Sequence, residues 1–377
     1  MGSWSRNRTE LSTPVRAVLV VVLLYLFLIG IGLLENGIAS LGDGFQDGLL
    51  ARVSNPLAGL FAGILATVLV QSSSVSTATI VGLVGAGTLG VPEAVPMVMG
   101  ANIGTTVTNT LAALGNVRRT DEFHRGFAAA TVHDAYNLLA VAILLPLELA
   151  TGFLSRAATA LTGMLRSTEI SEVGDSPIRT AVKVPVDAVT GLVDGNGEGG
   201  VVVGIVLLGV GLAAIFVALG TITKNMRQLV AGSMERAMNR LVARGGGSMG
   251  MAVGFGVTVA VQSSTITTSI MVPLAAAGIL TLNSAYTITL GANVGTTVTA
   301  LIASLAVAHP AGLTIALVHT LFNLAALALL YPIPAIRSIP VRMSEWTARL
   351  ATERRYIIIV YVGGLFLVLP AIGVFVL

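Results

Sequence analysis

Five stretches of this sequence are long and apolar enough to cross a bilayer: Val15–Leu34, Val201–Thr223, Tyr286–Val307, Leu313–Leu330 and Tyr356–Leu377. About 20 such residues span a hydrocarbon core. A sixth span, over 126–149, carries more polar residues. Charge agrees: only 10% of the 377 residues are charged, against about a quarter in a soluble domain. The chain therefore reads as an all-α polytopic membrane protein. It has no cysteine, which excludes disulfides, thiolate metal sites and cysteine nucleophiles. The first run is too long for a signal peptide, and no clear cleavage site follows it.

The chain also repeats itself. Gln71-Ser-Ser-Ser and Gly100-Ala-Asn-Ile-Gly-Thr-Thr-Val-Thr recur as Gln262-Ser-Ser-Thr and Gly291-Ala-Asn-Val-Gly-Thr-Thr-Val-Thr, both offset by 191 residues. Upstream, Gly59, Gly63 and Thr67 match Gly250, Gly254 and Thr258 at the same offset. Val132-His133 with Asn137 recurs as Val318-His319 with Asn323, offset by 186. Duplication at fixed spacing marks a repeat architecture. It divides the chain into an N-terminal segment, first helix and outer loop (1–55), a first transport repeat (56–150), an extracellular linker (151–200), a connecting helix and cytoplasmic loop (201–246), a second repeat (247–334), and a cytoplasmic loop with the last helix (335–377). The linker has no clear spanning helix. Phe153–Leu165 has the pattern of an amphipathic surface helix, and the segment from Asp194 to Gly200 is turn-forming.

Basic residues set the orientation, because short loops rich in Lys and Arg stay in the cytoplasm. Sixteen of the 21 basic residues fall in four segments: the N-terminus, 115–125, 224–248 and 335–355. All four are placed inside, with the N-terminus cytoplasmic and the protein multi-pass in the plasma membrane. The first Gln-Ser-Ser-Ser segment then enters from an outer loop and the second from an inner one. The copies are inverted, an arrangement that places a transporter's substrate site near the midplane.

Around Gln71 six polar residues fall within seven positions, between apolar arms too short to span. This predicts a re-entrant helical hairpin in each repeat. Non-helical backbone at that depth must be buried in protein or line a wet cavity. The second arm begins at the tip, so its free N–H groups and positive dipole end favour an anion. Serine hydroxyls add donors and can cap the helix. Two such tips can surround a tetrahedral oxyanion without a buried arginine. The Gly-Ala-Asn-(Ile/Val)-Gly-Thr-Thr segments predict a broken transmembrane helix in each repeat, since glycines loosen helices. Freed carbonyls, with Asn102, Thr105, Thr106, Thr108, Asn293, Thr296, Thr297 and Thr299, offer the all-oxygen ligation that suits sodium.

Blander readings stand beside these. Small and hydroxylated residues in membrane helices often serve close packing. Asp134 within a span points to function, or else to an ion pair with Arg125 or a place near the interface. His133–Asn137 and His319–Asn323 each share a helical face and read first as interhelical hydrogen bonding. Glu35, Glu93 and Glu148 lie near helix ends and read as solvated.

The paired motifs, together with Phe127-Ala-Ala-Ala-Thr-Val-His-Asp134 and Tyr331-Pro-Ile-Pro334, resemble the type II sodium–phosphate cotransporter family over 56–150 and 247–370. The chain is identified as a prokaryotic member. The resemblance implies phosphate binding by Ser72, Ser73, Ser74, Ser263, Ser264 and Thr265. It implies sodium binding by Gln262, Ser263, Thr296 and Thr299. Asp134 matches the aspartate that marks electrogenic members, and Asn137 resembles a residue tied to another cation site. With Gln71, Asn102, Thr105 and Asn293 from the reading of the residues, these complete the expected sodium set. The linker lacks the large cysteine-bearing loop of animal members, and Arg118-Arg119 replaces a Gly-Asp near a cation site. Animal members continue beyond the position of Leu377 into a further helix, so the C-terminus is expected outside.

The function implied is sodium-driven import of inorganic phosphate as HPO4 2−, with net charge movement. The alternative is sodium-coupled transport of another oxyanion or a carboxylate. The implied partners are phosphate, sodium as coupling ion and the lipid bilayer, with a homodimer left open. Neither a nucleic acid nor a further cofactor is expected. An enzyme is disfavoured: a serine nucleophile needs a base, and the core histidines His133 and His319 lie far along the chain from the serine tips.

Overall fold

The computed structural model describes residues 13–114, 120–167, 177–195, 200–244 and 247–377. Among these residues it is helical throughout, with no strand. Six helices are long and apolar enough to span a membrane: Pro14–Ser40, Thr120–Thr151, Val201–Met226, Leu282–Ser304, Pro310–Leu330 and Tyr356–Val376. In chain order, α1 is Thr13–Ser40 and α2 is Asp43–Val53. The α2 helix meets α3 (Pro56–Val70) at a bend of 104°. Pro56 sets this corner: it opens α3, and the Asn55 side chain accepts from Leu57 N–H as its cap.

Each expected hairpin is present. The first is α3 with α4 (Ser73–Gly85), and the second is α11 (Gly247–Val261) with α12 (Ser264–Ala276). The arms have 15 and 13 residues in both cases. At 1.5 Å per residue, an arm of that length reaches only about 20 Å of a core of about 30 Å.

The expected helix break occurs in the first copy alone. There α5 (Val91–Gly104) and α6 (Val107–Ala113) are separated at Thr105 and Thr106. The second copy runs unbroken as α13 (Leu282–Ser304). A Cβ on Gly100 would strike the Leu60 carbonyl, and one on Gly63 the Met97 carbonyl. Gly291 and Gly254 are equally closed by Met251 and Ile288. The glycines let α3 cross α5, and α11 cross α13, in backbone contact. The same close crossing is present in both copies, so it does not account for the break in the first alone.

Three stretches expected as loops are helical. Linker 151–200 holds α8 (Phe153–Ser167), as its amphipathic pattern predicted, and also α9 (Pro177–Asp194). The α8 helix packs on α14 (Pro310–Leu330), where Thr162 and Thr314 hydroxyls meet at 2.9 Å. The α9 helix packs on α1. Glu148 is buried rather than solvated, because its carboxylate caps α8 through Leu154 N–H (2.7 Å) and both donors of Ser155. The segment after 224 continues α10 (Val201–Arg244), and 335–355 forms α15 (Pro334–Glu353), which packs on α7 (Thr120–Thr151). The last span is α16 (Tyr356–Ile359), a π-helical stretch Val360–Val368, and α17 (Leu369–Val376). Residues 1–12, Arg118-Arg119 and Asn196–Gly199 lie outside the described residues.

Burial ranks the spans. The α7 and α13 helices are the central ones, 78% buried, whereas the last span is 22% buried. The hairpin arms α4 and α12 pack into this centre: α4 touches α13 and α14, and α12 touches α6 and α7.

Candidate functional site

Both hairpins turn on a glutamine in left-handed backbone, Gln71 and Gln262, each at φ 56°. A non-glycine residue there costs on the order of 1 kcal/mol. Glycine would relieve that strain but could not do what these side chains do. The Gln71 amide donates to Val68 O, and the Gln262 amide donates to Val259 O at 2.7 Å. Those carbonyls sit in the last turn of α3 and α11, where the helix supplies no partner. Each Oε1 accepts from the repeat's own threonine: Thr108 to Gln71 at 2.7 Å, Thr299 to Gln262 at 3.0 Å. One glutamine thus closes the hairpin and ties it to the Gly-Ala-Asn segment.

The next residues begin the second arms. Ser72 and Ser263 are extended (φ −152° and −155°) and cap α4 and α12, accepting from Val75 N–H at 3.3 Å and Ile266 N–H at 3.4 Å. Ser73, Ser74, Ser264 and Thr265 occupy the first helical turns, whose N–H groups lack intrahelical acceptors. The tips meet: Ser74 Oγ donates to the Gln262 carbonyl across the repeats at 3.4 Å.

The hydroxyl hydrogens divide by segment. Thr105 and Thr296 donate to Ala101 O (2.9 Å) and Ala292 O (3.0 Å). Thr108 and Thr299 donate to the glutamines. Their hydrogens are committed, so they present lone pairs, which is what a cation needs. The Ser72, Ser73, Ser263 and Ser264 hydroxyls have no acceptor among the described residues, so their hydrogens remain available to donate.

Three expected sodium residues belong to a different layer. Asn137 and Asn293 form a chain with His133: His133 Nε2 to Asn293 Oδ1 at 2.6 Å, Asn293 Nδ2 to Asn137 Oδ1 at 2.7 Å, and Asn137 Nδ2 to Asn102 O at 2.7 Å. The break after Gly104 frees that last carbonyl, because Thr106 N–H turns to Ile103 O. The Asn102 amide itself donates back to Val98 O at 3.1 Å. Asp134 is fully buried (0% exposed), and Arg125 bonds elsewhere rather than pairing with it. Its Oδ2 accepts from Tyr361 OH at 2.7 Å and Thr110 Oγ1 at 3.3 Å, while Arg125 donates to Ala276 O at the end of α12.

Two residues escaped the reading of the sequence. Asn109 spans to the other repeat's hairpin, donating to Thr268 Oγ1 at 2.6 Å and accepting from Ser269 Oγ at 3.0 Å. Its one signal is a break in the repeat, since Ala300 holds the equivalent position. Tyr361 lies outside both repeats. It is carried on the π-helical stretch, an irregularity frequent at functional sites.

The Na+/Pi-cotransporter family model matches residues 26–169 and 214–333. Sodium-dependent phosphate transport protein 2A of Rattus norvegicus is 33% identical over 98% of this chain and 69% of its own length. The 2A protein of Ovis aries is 32% identical over 95% of this chain and 67% of its own. Sodium-dependent phosphate transport protein 2B of Homo sapiens is 30% identical over 94% and 64%. No solved structure matches the chain. By the matched residues and by the identity to full-length relatives, the chain belongs to the Na+/Pi-cotransporter family.

Proposed function

We propose that the chain is a sodium-driven phosphate symporter in which the converging hairpin tips hold phosphate and the adjoining oxygens hold sodium. The observation that carries this is the division of hydroxyl hydrogens. Free donors gather at the tips (Ser72, Ser73, Ser263, Ser264), and committed hydroxyls line the Gly-Ala-Asn segments (Thr105, Thr108, Thr296, Thr299). Helix N-termini supply further neutral donors to an anion. Bound sodium would offset phosphate charge where an uncompensated anion is costly. The names of the relatives support the pairing of sodium with phosphate.

Finer features follow from the same reading. The repeats are inverted, with the N-terminus cytoplasmic in the plasma membrane, as the placement of basic residues supports. Import moves net positive charge because Asp134 serves a cation site. Its second oxygen, Oδ1, is buried with no donor among the described residues, and such an atom invites a cation. The activity is transport rather than hydrolysis: among the described residues neither core histidine, His133 or His319, is hydrogen-bonded to a tip serine.

The test is radiolabelled phosphate uptake into proteoliposomes under an inward sodium gradient against an equal potassium gradient. Uptake with sodium alone is expected. Equal uptake in potassium, or none in either, refutes the proposal. Competition by sulfate or a carboxylate as effective as that by phosphate would shift the reading to a broader anion.

A further inference from the structure

The histidine–asparagine pairs of the two repeats are the same in sequence and opposite in state. In the first repeat three of the pair's four side-chain polar atoms are engaged (His133 Nε2, Asn137 Nδ2 and Asn137 Oδ1), and only His133 Nδ1 is buried without a partner among the described residues. The orientation of the Asn293 amide, with Nδ2 on Asn137, makes its Oδ1 the acceptor, so His133 donates from Nε2. In the second repeat the pair faces nothing. Both ring nitrogens of His319 and Oδ1 of Asn323 are buried without a hydrogen-bond partner among the described residues, and Asn323 Nδ2 merely returns to His319 O at 3.0 Å. A buried polar atom left unpaired costs about 1–3 kcal/mol. Three in one place imply another arrangement in which they are paired.

The repeat itself names the partner. Asn102 is the counterpart of Asn293 at the 191-residue offset, and in this state it folds back onto Val98 O of its own helix. Other asymmetries run the same way. Gln71 is exposed, while Gln262 is 9% exposed. Thr258 and Thr267 tie the arms of the second hairpin at 2.8 Å, whereas their counterpart Thr67 is buried and unpaired. At the turn glutamine and between its arms, the second hairpin is thus the more tightly held of the two.

We infer that the two pairs are alternating latches: His319 and Asn323 engage Asn102 in the oppositely facing state, as His133 and Asn137 engage Asn293 here. The inference rests on the inverted-repeat reading above. In the exchange no bond is made or broken other than hydrogen bonds. His319 presents Nε2–H to Asn102 Oδ1, the Asn102 amide donates to Asn323 Oδ1, and the His133 chain opens. His319 and Asn102 are thus positioning residues that set which hairpin is exposed.

The chain has no cysteine, so one engineered thiol reports alone. Two reporters, Ser72→Cys and Ser263→Cys, are reacted in proteoliposomes with a small thiol reagent. Losing one latch should shift the balance by roughly threefold or more, the scale of one net hydrogen bond. His133→Ala is expected to raise the reaction rate at position 263 and lower it at 72. His319→Ala is expected to do the opposite, and Asn102→Ala to match it without adding to it. His319→Gln, which keeps a donor, should restore part of the shift even where the alanine variant folds poorly. Shifts in the same direction from both histidines, or none from His319→Ala and His319→Gln, overturn the latch. The readout needs no phosphate uptake, so failed symport with opposed shifts would remove the substrate assignment and leave the latch standing.

Discussion

The two hairpins share arm lengths, turn geometry, capping serines and a glutamine–threonine tie, yet the first exposes its turn glutamine and the second buries it. The difference therefore does not come from local chemistry. It comes from what each tip meets. The second hairpin is gripped by Asn109 on one arm and by Thr258–Thr267 between its arms. In the first hairpin Thr67 is unpaired, and the position that would mirror Asn109 is Ala300. The lesson is that one local design can occur twice in a chain, while tertiary contacts decide how tightly each copy is held.

The largest expected effect treats the hairpins alike. Gly100→Leu and Gly291→Leu should each abolish folded protein, measured as monodisperse material in detergent, because the added side chain meets backbone that cannot yield. If only one variant fails to fold, the two crossings are not equivalent. Gln262→Ala comes next and should abolish sodium-dependent uptake, by more than about a hundredfold. It strips the Thr299 hydroxyl of its acceptor in a buried site and removes an oxygen proposed to hold sodium. Gln71→Ala should also impair uptake but cost less thermal stability, since its threonine tie is exposed. Equal loss of melting temperature in the two variants would break the comparison.

Asp134→Gly sharpens a second asymmetry, because Thr320 stands at the matching place in the other repeat. Phosphate uptake should survive while the accompanying current is lost, measured by electrophysiology. Abolished uptake would contradict a role confined to one cation. Asn109→Ala should be smaller still, destabilising by about 1–3 kcal/mol in thermal melts through the unpaired Thr268 and Ser269. Ser74→Ala, which loses only a 3.4 Å contact, is expected to change stability by about 0.5 kcal/mol or less, with its main effect on phosphate affinity.

Much of this was legible in the residues. Arm lengths set by apolar runs predicted the hairpins, and the matched spacing of Gln71 to Thr108 and Gln262 to Thr299 followed from a single duplication. The break was predicted for both copies and occurs only at Thr105–Thr106; the glycines are packed against backbone in both copies, so glycine content alone does not decide where a helix breaks. Glu148 read as solvated because its partners on α8 lie beyond a turn that composition does not reveal. Tyr361 gave no signal at all: one tyrosine in an apolar run says nothing of a carboxylate 227 positions earlier.

The sequence by itself determined the membrane setting, the duplication and the chemical character of the tips, since hydropathy, spacing and donor inventory are properties of residues. Only the tertiary structure decided that the tips touch, that Asn137 and Asn293 spend their amides on His133, each other and the Asn102 carbonyl, and that the matching His319 and Asn323 keep unpaired atoms. Two nearly identical segments have the same local energies. Contacts between distant parts of the chain split that degeneracy, and no local pattern encodes them.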